Sequence, residues 1–249
     1  MEGKSREGDS VSGVSLKDLL EAGCHFGHQS RRWNPAMAKY IYTARDGVHI
    51  LDLAQTKKGI EEAAKYLGSM ASEGRVILFV GTKRQAQEVV RREAVRLGMP
   101  YVTARWIGGL LTNWEQVQKR LAKLADLKDK RNRGDFKVYT KREQLLLDRE
   151  IAKLEKFFGG VSTLSKLPDV LFVVDSHREE VAVKEARRMN IPVVALVDTN
   201  GDPALIDYVI PVNDDAVKSV ELVVTAIADA IAGSKPQISS NKQESSPNE

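Results

Sequence analysis

The chain has 249 residues, 42% hydrophobic and 29% charged, with 38 Lys+Arg against 34 Asp+Glu. That length suits one or two domains with a sizeable core, and a net charge of +4 does not by itself mark a nucleic-acid binder. One cysteine excludes an internal disulfide and a cysteine-based zinc cluster, and no apolar run approaches the ~18 residues that span a membrane.

The opening MEGKSREGDSVSG lacks the apolar stretch of a secretory signal, so a cytoplasmic protein is expected. Residues 1–14 and 233–249 are polar and read as flexible tails. Ser15 is a capping candidate for a short helix through Leu16, Leu19, Leu20 and Ala22. Tyr40–Leu53 reads as two short strands about a turn at Arg45-Asp46-Gly47. A helix over Thr56–Ser69 is followed by RVILFV at Arg75–Val80, a continuous apolar run expected of a strand buried on both faces. Thr82 and Gln85 form a capping-box pair for a helix through about Leu97, closed by Gly98, and Met99–Val102 is a short strand.

Two further T-x-x-E boxes, Thr112/Glu115 and Thr140/Glu143, open amphipathic helices. Trp114, Val117, Leu121 and Leu124 mark the first, and Leu147, Ile151, Leu154 and Phe158 the second. With a polar joint at Asp129–Tyr139, they read as an antiparallel helical hairpin, residues 105–160, inserted into an α/β domain made of residues 15–104 and 161–232. From Arg105 to Lys156 there are 14 Lys/Arg and 8 Asp/Glu, so this segment is more positive than the whole chain. Beyond it, Pro168–Ser176 is a buried strand, Glu179–Met189 a helix, Ile191–Val197 a strand and Tyr208–Val212 an edge strand, since Pro211 lacks a ladder donor. Val217–Ala232 closes the fold as a helix. Alternating strand and helix implies an α/β fold with a mostly parallel sheet covered by helices.

The rarest chemistry sits in CHFGHQSRRWNP, Cys24–Pro35. His25 and His28, at i and i+3, would share a face if helical, but zinc takes three or four protein ligands and the local sequence offers no second pair. Cys24 beside His25 has no orienting acid and reads as a small buried thiol rather than a nucleophile.

Nucleotide binding is the rival reading. Gly81-Thr82-Lys83-Arg84 lies where a strand meets a helix N-terminus, a natural phosphate position. No G-x-G-x-x-G or G-x-x-x-x-G-K-[ST] accompanies it. Asp175-Ser176-His177 and Asp198-Thr199-Asn200-Gly201-Asp202 also fall at strand ends, where they serve either as caps and turns or as part of a ligand crevice. The spacing after Asp198 is not that of an EF-hand.

RNA binding accounts for more. Arg31 and Arg32 are two guanidinium forks beside Trp33, with Asn34-Pro35 setting a turn. Arg105-Trp106 repeats the pair before the Gly108-Gly109 corner, and Lys83-Arg84 adds cations at a helix start. Either tryptophan could equally be core. His25 and His28 either contact RNA or hydrogen-bond internally.

Several long stretches carry a resemblance: LLEAGCHFGHQSRRWNP (Leu19–Pro35), DGVHILDLAQT (Asp46–Thr56), FVGTKRQA (Phe79–Ala86), RWIGGLLTN (Arg105–Asn113) and PDVLFVVDSHREEVAVKEARRMNIP (Pro168–Pro192). In this order, from about Ser15 to Ala232, the chain resembles the bacterial small-ribosomal-subunit protein two family. The resemblance implies a three-layer α/β/α fold with a flavodoxin-like sheet and a protruding helical hairpin. It implies a non-enzymatic role: binding small-subunit rRNA between head and body, with neighbouring ribosomal proteins as partners, including ribosomal protein one, whose docking supports mRNA recruitment. It implies no cofactor, no metal, no small-molecule substrate and no membrane. The residues expected to serve RNA binding are those above together with Asn113, which ends the RWIGGLLTN motif. Ala36 stands where many relatives carry lysine, which removes one possible phosphate contact.

Overall fold

The computed structural model describes residues 13–234. In chain order these form α1 (Leu16–Glu21), β1 (Phe26–Gln29), β2 (Ile41–Arg45), β3 (Val48–Leu51), α2 (Leu53–Ser72), β4 (Ile77–Val80), α3 (Gln87–Leu97) and β5 (Tyr101–Val102). Then follow α4 (Trp114–Arg133), α5 (Lys141–Phe158), β6 (Val170–Val174), α6 (Glu180–Arg188), β7 (Val193–Val197), β8 (Tyr208–Pro211) and α7 (Val217–Ser234). Most of the two expected tails lies outside the described residues. Where they are described they are ordered: Val14 is buried and α7 runs on to Ser234.

The main sheet has the order β5-β4-β6-β7-β8, parallel throughout. Numbered within the sheet, this is the 2-1-3-4-5 order of flavodoxin-like folds. β4, β6 and β7 are buried along their whole length because both faces are covered. Alternate residues point to opposite sides. Ile77, Phe79, Phe172, Val174, Val194 and Leu196 pack with α2, α3 and α7. Leu78, Val80, Leu171, Val173, Ala195 and Val197 join the other core, with α6 and the apolar faces of α4 and α5. The result is three layers. Phe79 and Phe172, partners in register, meet edge to face at 5.2 Å, and burying each ring stabilises the fold by about 2–3 kcal/mol. β8 lies at the edge, as Pro211 requires.

α4 and α5 are joined by Gly134 and a short 3-10 turn at Asp135–Val138, and Lys128–Glu155 (2.7 Å) and Lys123–Glu150 tie them together. Leu124, Leu127, Ile151 and Leu154 belong to the same apolar cluster as the sheet's Leu78 and Val80, so the pair is rooted in the second core.

Local signals succeed where the capping side chain stays local. Ser15/Asp18 and Thr140/Glu143 form reciprocal capping boxes, Asp46 and Gly47 both take positive φ in the β2–β3 turn, and Gly98 ends α3 in the left-handed region. Two expected boxes do not form. α3 begins at Gln87, not just after Thr82, because the Thr82 N–H and hydroxyl both donate to Glu179 (2.9 and 2.5 Å). α4 begins at Trp114 without a side-chain cap, because the Thr112 N–H and hydroxyl donate to Glu185 (both 3.2 Å).

Candidate nucleic-acid interface

The stretch Cys24–Pro35 is not helical. Phe26–Gln29 is a strand, β1, which pairs antiparallel with β3 in a small sheet of order β1-β3-β2. This sheet is strapped over the carboxyl ends of β7 and β8. The His28 N–H donates to Thr199 Oγ1 (2.9 Å), the Asn34 N–H to the Thr199 carbonyl (2.7 Å) and the Asn213 N–H to the Cys24 carbonyl (3.1 Å). Gly27 allows the approach, since a Cβ there would stand 2.6 Å from the Thr199 methyl. Cys24 is fully buried, and burial pushes its thiol pKa up, as a small core residue should show.

The strap leaves Arg31 and Arg32 exposed on a 3-10 turn. Arg31 Nε donates to Gln29 Oε1 (3.0 Å), and Arg32 makes no ion pair among the described residues. Trp33 is partly exposed and rests against His49, ring centroids 5.1 Å apart. Asn34 holds the next turn, its side chain accepting from the Ala36 N–H (3.0 Å). His25 lies against Phe26, and burial lowers its pKa.

His28 turns inward. Its Nδ1 is 3.1 Å from Asp198 and its Nε2 is 3.4 Å from Asp215. The hydrogen bond with Asp198, with the charges of Asp198, Asp214 and Asp215, outweighs burial and holds the imidazole above its ordinary pKa. Lys83, expected to face a phosphate, is buried instead. Its ammonium lies 2.6 Å from Asp214, 2.6 Å from Asp215 and 3.2 Å from Asp175. Burial works against this charge, but the three carboxylates more than offset it and raise the lysine pKa. Four aspartates against one lysine and one histidine leave negative charge in excess. Asp214, almost fully buried, is pushed up to about 8 by burial and by Asp175 and Asp198, against the pull of Lys83. The Lys83 side of the Gly81–Arg84 corner is therefore an acidic cluster closed on its own cation, so Lys83 does not serve a nucleotide phosphate there. Only Arg84 of this corner faces solvent.

The cluster gathers ligand-type atoms that the local sequence kept apart. One donor atom each from His28, Asp198 and Asp214 lie within 4.8 Å of one another, and Asp214 Oδ2 is buried without a hydrogen-bond partner. One imidazole and two carboxylates could hold a divalent metal ion. The residues adjacent to His25 and His28 do not contain this set, since its carboxylates come from the ends of β7 and β8.

The second Arg-Trp pair divides. Arg105 is exposed, but Trp106 is buried, so its indole is not a free stacking plane. Glu185 of α6 organises this segment. Its carboxylate accepts from Trp106 Nε1 (3.1 Å), the Gly109 N–H (2.7 Å), the Leu111 N–H (3.0 Å) and both Thr112 donors. Burial opposes the charge, yet these donors prevail and lower its pKa. Asn113, next in line, is exposed at the start of α4. Sequence reasoning missed Glu185 because it reads as one more charge on an amphipathic helix.

On α4, α5 and their joint, Arg120, Arg133, Arg142, Arg149 and Lys153 make no ion pair among the described residues. Exposed cations without acidic partners lie on the strap, at Arg84 and Arg105, and along the helix pair. No helix among the described residues is long and apolar enough to cross a membrane.

Residues 19–234 match the family described as "Ribosomal protein S2". The chain belongs to the ribosomal protein S2 family. It is also 56% identical over 217 residues, 87% of this chain and 83% of the relative, to "Small ribosomal subunit protein uS2" of Roseiflexus sp. (strain RS-1). As a member of the S2 family it is a structural ribosomal protein and not an enzyme. The flavodoxin-like sheet is thus a scaffold, and part of its carboxyl end is filled by this chain's own His28, Lys83 and aspartates.

Proposed function

We propose that this chain is a cytoplasmic component of the small ribosomal subunit that binds rRNA between head and body, contacts neighbouring ribosomal proteins, and supports docking of ribosomal protein one and mRNA recruitment. The observation that carries the RNA contact is the separation of charge. Lys83 and His28 are neutralised internally, whereas Arg31, Arg32, Arg84, Arg105 and the unpaired Arg120, Arg133, Arg142, Arg149 and Lys153 of the helix pair are left for a polyanion. Exposed guanidiniums suit phosphates, and the strap's 3-10 turn presents two side by side. Asn113 and Trp33 border these charges, with His25 at the strap's edge. The neighbour contacts and the docking role rest on family membership.

The test is sedimentation of cell lysate on a sucrose gradient at low and high salt. The chain should travel with the small subunit and be released as salt rises. A chain that stays at the top of the gradient in growing cells contradicts the reading.

Residues 105–160 are, on the same reading, an inserted hairpin whose root is built into the core. Replacing residues 119–152 with a short linker should leave a cooperatively unfolding α/β remainder. Loss of the cooperative transition in circular dichroism would remove the insertion reading.

A further inference from the structure

Beside the closed aspartate cluster, the carboxyl end of the sheet holds an open pocket of about 540 Å³. It lies by the ends of β4 and β6, the adjacent strands between which the 2-1-3-4-5 order reverses direction, where open α/β sheets place ligands. Arg105, Arg178, Trp106, Gly108, Glu179 and Val181 line it. The two arginines are exposed, and neither makes an ion pair among the described residues. Arg178 Nε donates to Thr82 Oγ1 (3.1 Å), which fixes the guanidinium and leaves its terminal nitrogens uncommitted. α6 starts here with Glu179 at its N-cap making no side-chain cap, the Arg178 N–H just ahead of it donates to Asp175 Oδ1 (2.9 Å), and the helix dipole adds positive potential at this end. Glu179 is the one acid in the wall. It is buried, its Oε1 takes both Thr82 donors, and burial raises its pKa. The neighbouring cluster spends its charge on itself, but here two cations and a helix start converge on space large enough for a small ligand. Gly108 has no atom within 4 Å of where a Cβ would stand, so the backbone is open on that side.

We propose that this pocket binds one nucleotide unit, its phosphate between Arg105 and Arg178 at the start of α6 and its base toward Gly108 and Val181. The unit comes either from a single-stranded RNA segment or as a free nucleotide. Only the first source rests on the rRNA reading.

The test uses the full chain and a fluorescein-labelled five-nucleotide RNA followed by anisotropy, with AMP as competitor. R105A/R178A should weaken the RNA at least tenfold and lower the slope of log K against log salt by about 0.7, the value for one phosphate on a single strand. V181D, at an exposed rim position, should weaken binding without touching either arginine. Competition by AMP at concentrations near those of the oligonucleotide assigns a free nucleotide. Competition by unlabelled oligonucleotide alone assigns an RNA strand. The pocket is overturned by three results: no binding to the unmodified chain, unchanged affinity in R105A/R178A, or an equal loss in R31A/R32A, which would mean general surface charge. If R105A/R178A binds the oligonucleotide normally and the chain still travels with the small subunit, the pocket fails and the rRNA reading stands.

Discussion

The carboxyl end of the main sheet and the strap above it carry similar cations to opposite ends. Lys83 is enclosed by Asp175, Asp214 and Asp215, while Arg32, on the strap, meets solvent. Near the sheet, His28 of the small antiparallel sheet pairs with Asp198 and Asp215 at the carboxyl end of the large one and helps hold the two together. Arg31 and Arg32 on the strap, and those cations of α4 and α5 that have no acidic partner among the described residues, do no such work and are available to a polyanion. In a protein with a net charge of only +4, binding capacity follows from which cations lack acids and not from the total.

The largest effect should come from outside both regions, at Glu185, which ties α6 to the Trp106–Thr112 segment. Glu185→Ala removes one buried carboxylate that satisfies five donors of the Trp106–Thr112 segment. Denaturant unfolding should show a loss of about 3 kcal/mol or more, and Glu185→Gln should recover part of it. A loss under about 0.5 kcal/mol, the range of ordinary surface changes, would mean the segment is held by packing alone. Lys83→Met comes next. It leaves three carboxylates without their cation, and breaking such a buried group should cost about 3 kcal/mol, with the salt dependence of ribosome association unchanged. R31A/R32A should do the reverse: stability within about 0.5 kcal/mol and a salt-dependence slope reduced by a little under ~1 for each lost phosphate contact. If both variants changed both quantities, the division between structural and binding charge would be wrong.

The pH response is the smallest. His28 and Asp214 hold protons more tightly folded than unfolded. Stability from such groups is complete below the unfolded pKa and falls as pH climbs to the folded one. For His28 the fall starts near 6.5 and runs through its raised value, and for Asp214 it runs from 3.8 to about 8. In chelator-treated protein the melting temperature should therefore decline from pH 6 to pH 9. His28→Gln should flatten the upper part of that decline, and an identical profile in the variant would show that the imidazole does not titrate with folding.

Much of the fold was legible because its signals are local. RVILFV and PDVLFVVDS are apolar runs that only a strand buried on both faces uses fully, and both supply central strands of the sheet. The candidate site was less legible. Lys83-Arg84 beside Gly81 has the composition of a phosphate corner, and nothing within ten residues shows that Asp214, 131 residues away, will take the lysine. Trp106 looks as available as Trp33 until Glu185, 79 residues on, captures its N–H.

By itself, then, the sequence determined the α/β alternation, the Asp46-Gly47 turn, the Gly98 stop and the Ser15 and Thr140 caps, because each depends on backbone preferences and partners within a few residues. Only the tertiary structure decided that Phe26–Gln29 is a strand, that Thr82 and Thr112 abandon their helices for Glu179 and Glu185, and which cations stay free. A hydroxyl or an ammonium goes to the strongest acceptor within reach. Folding brings within reach of Lys83 a carboxylate, Asp214, that is 131 residues away along the chain.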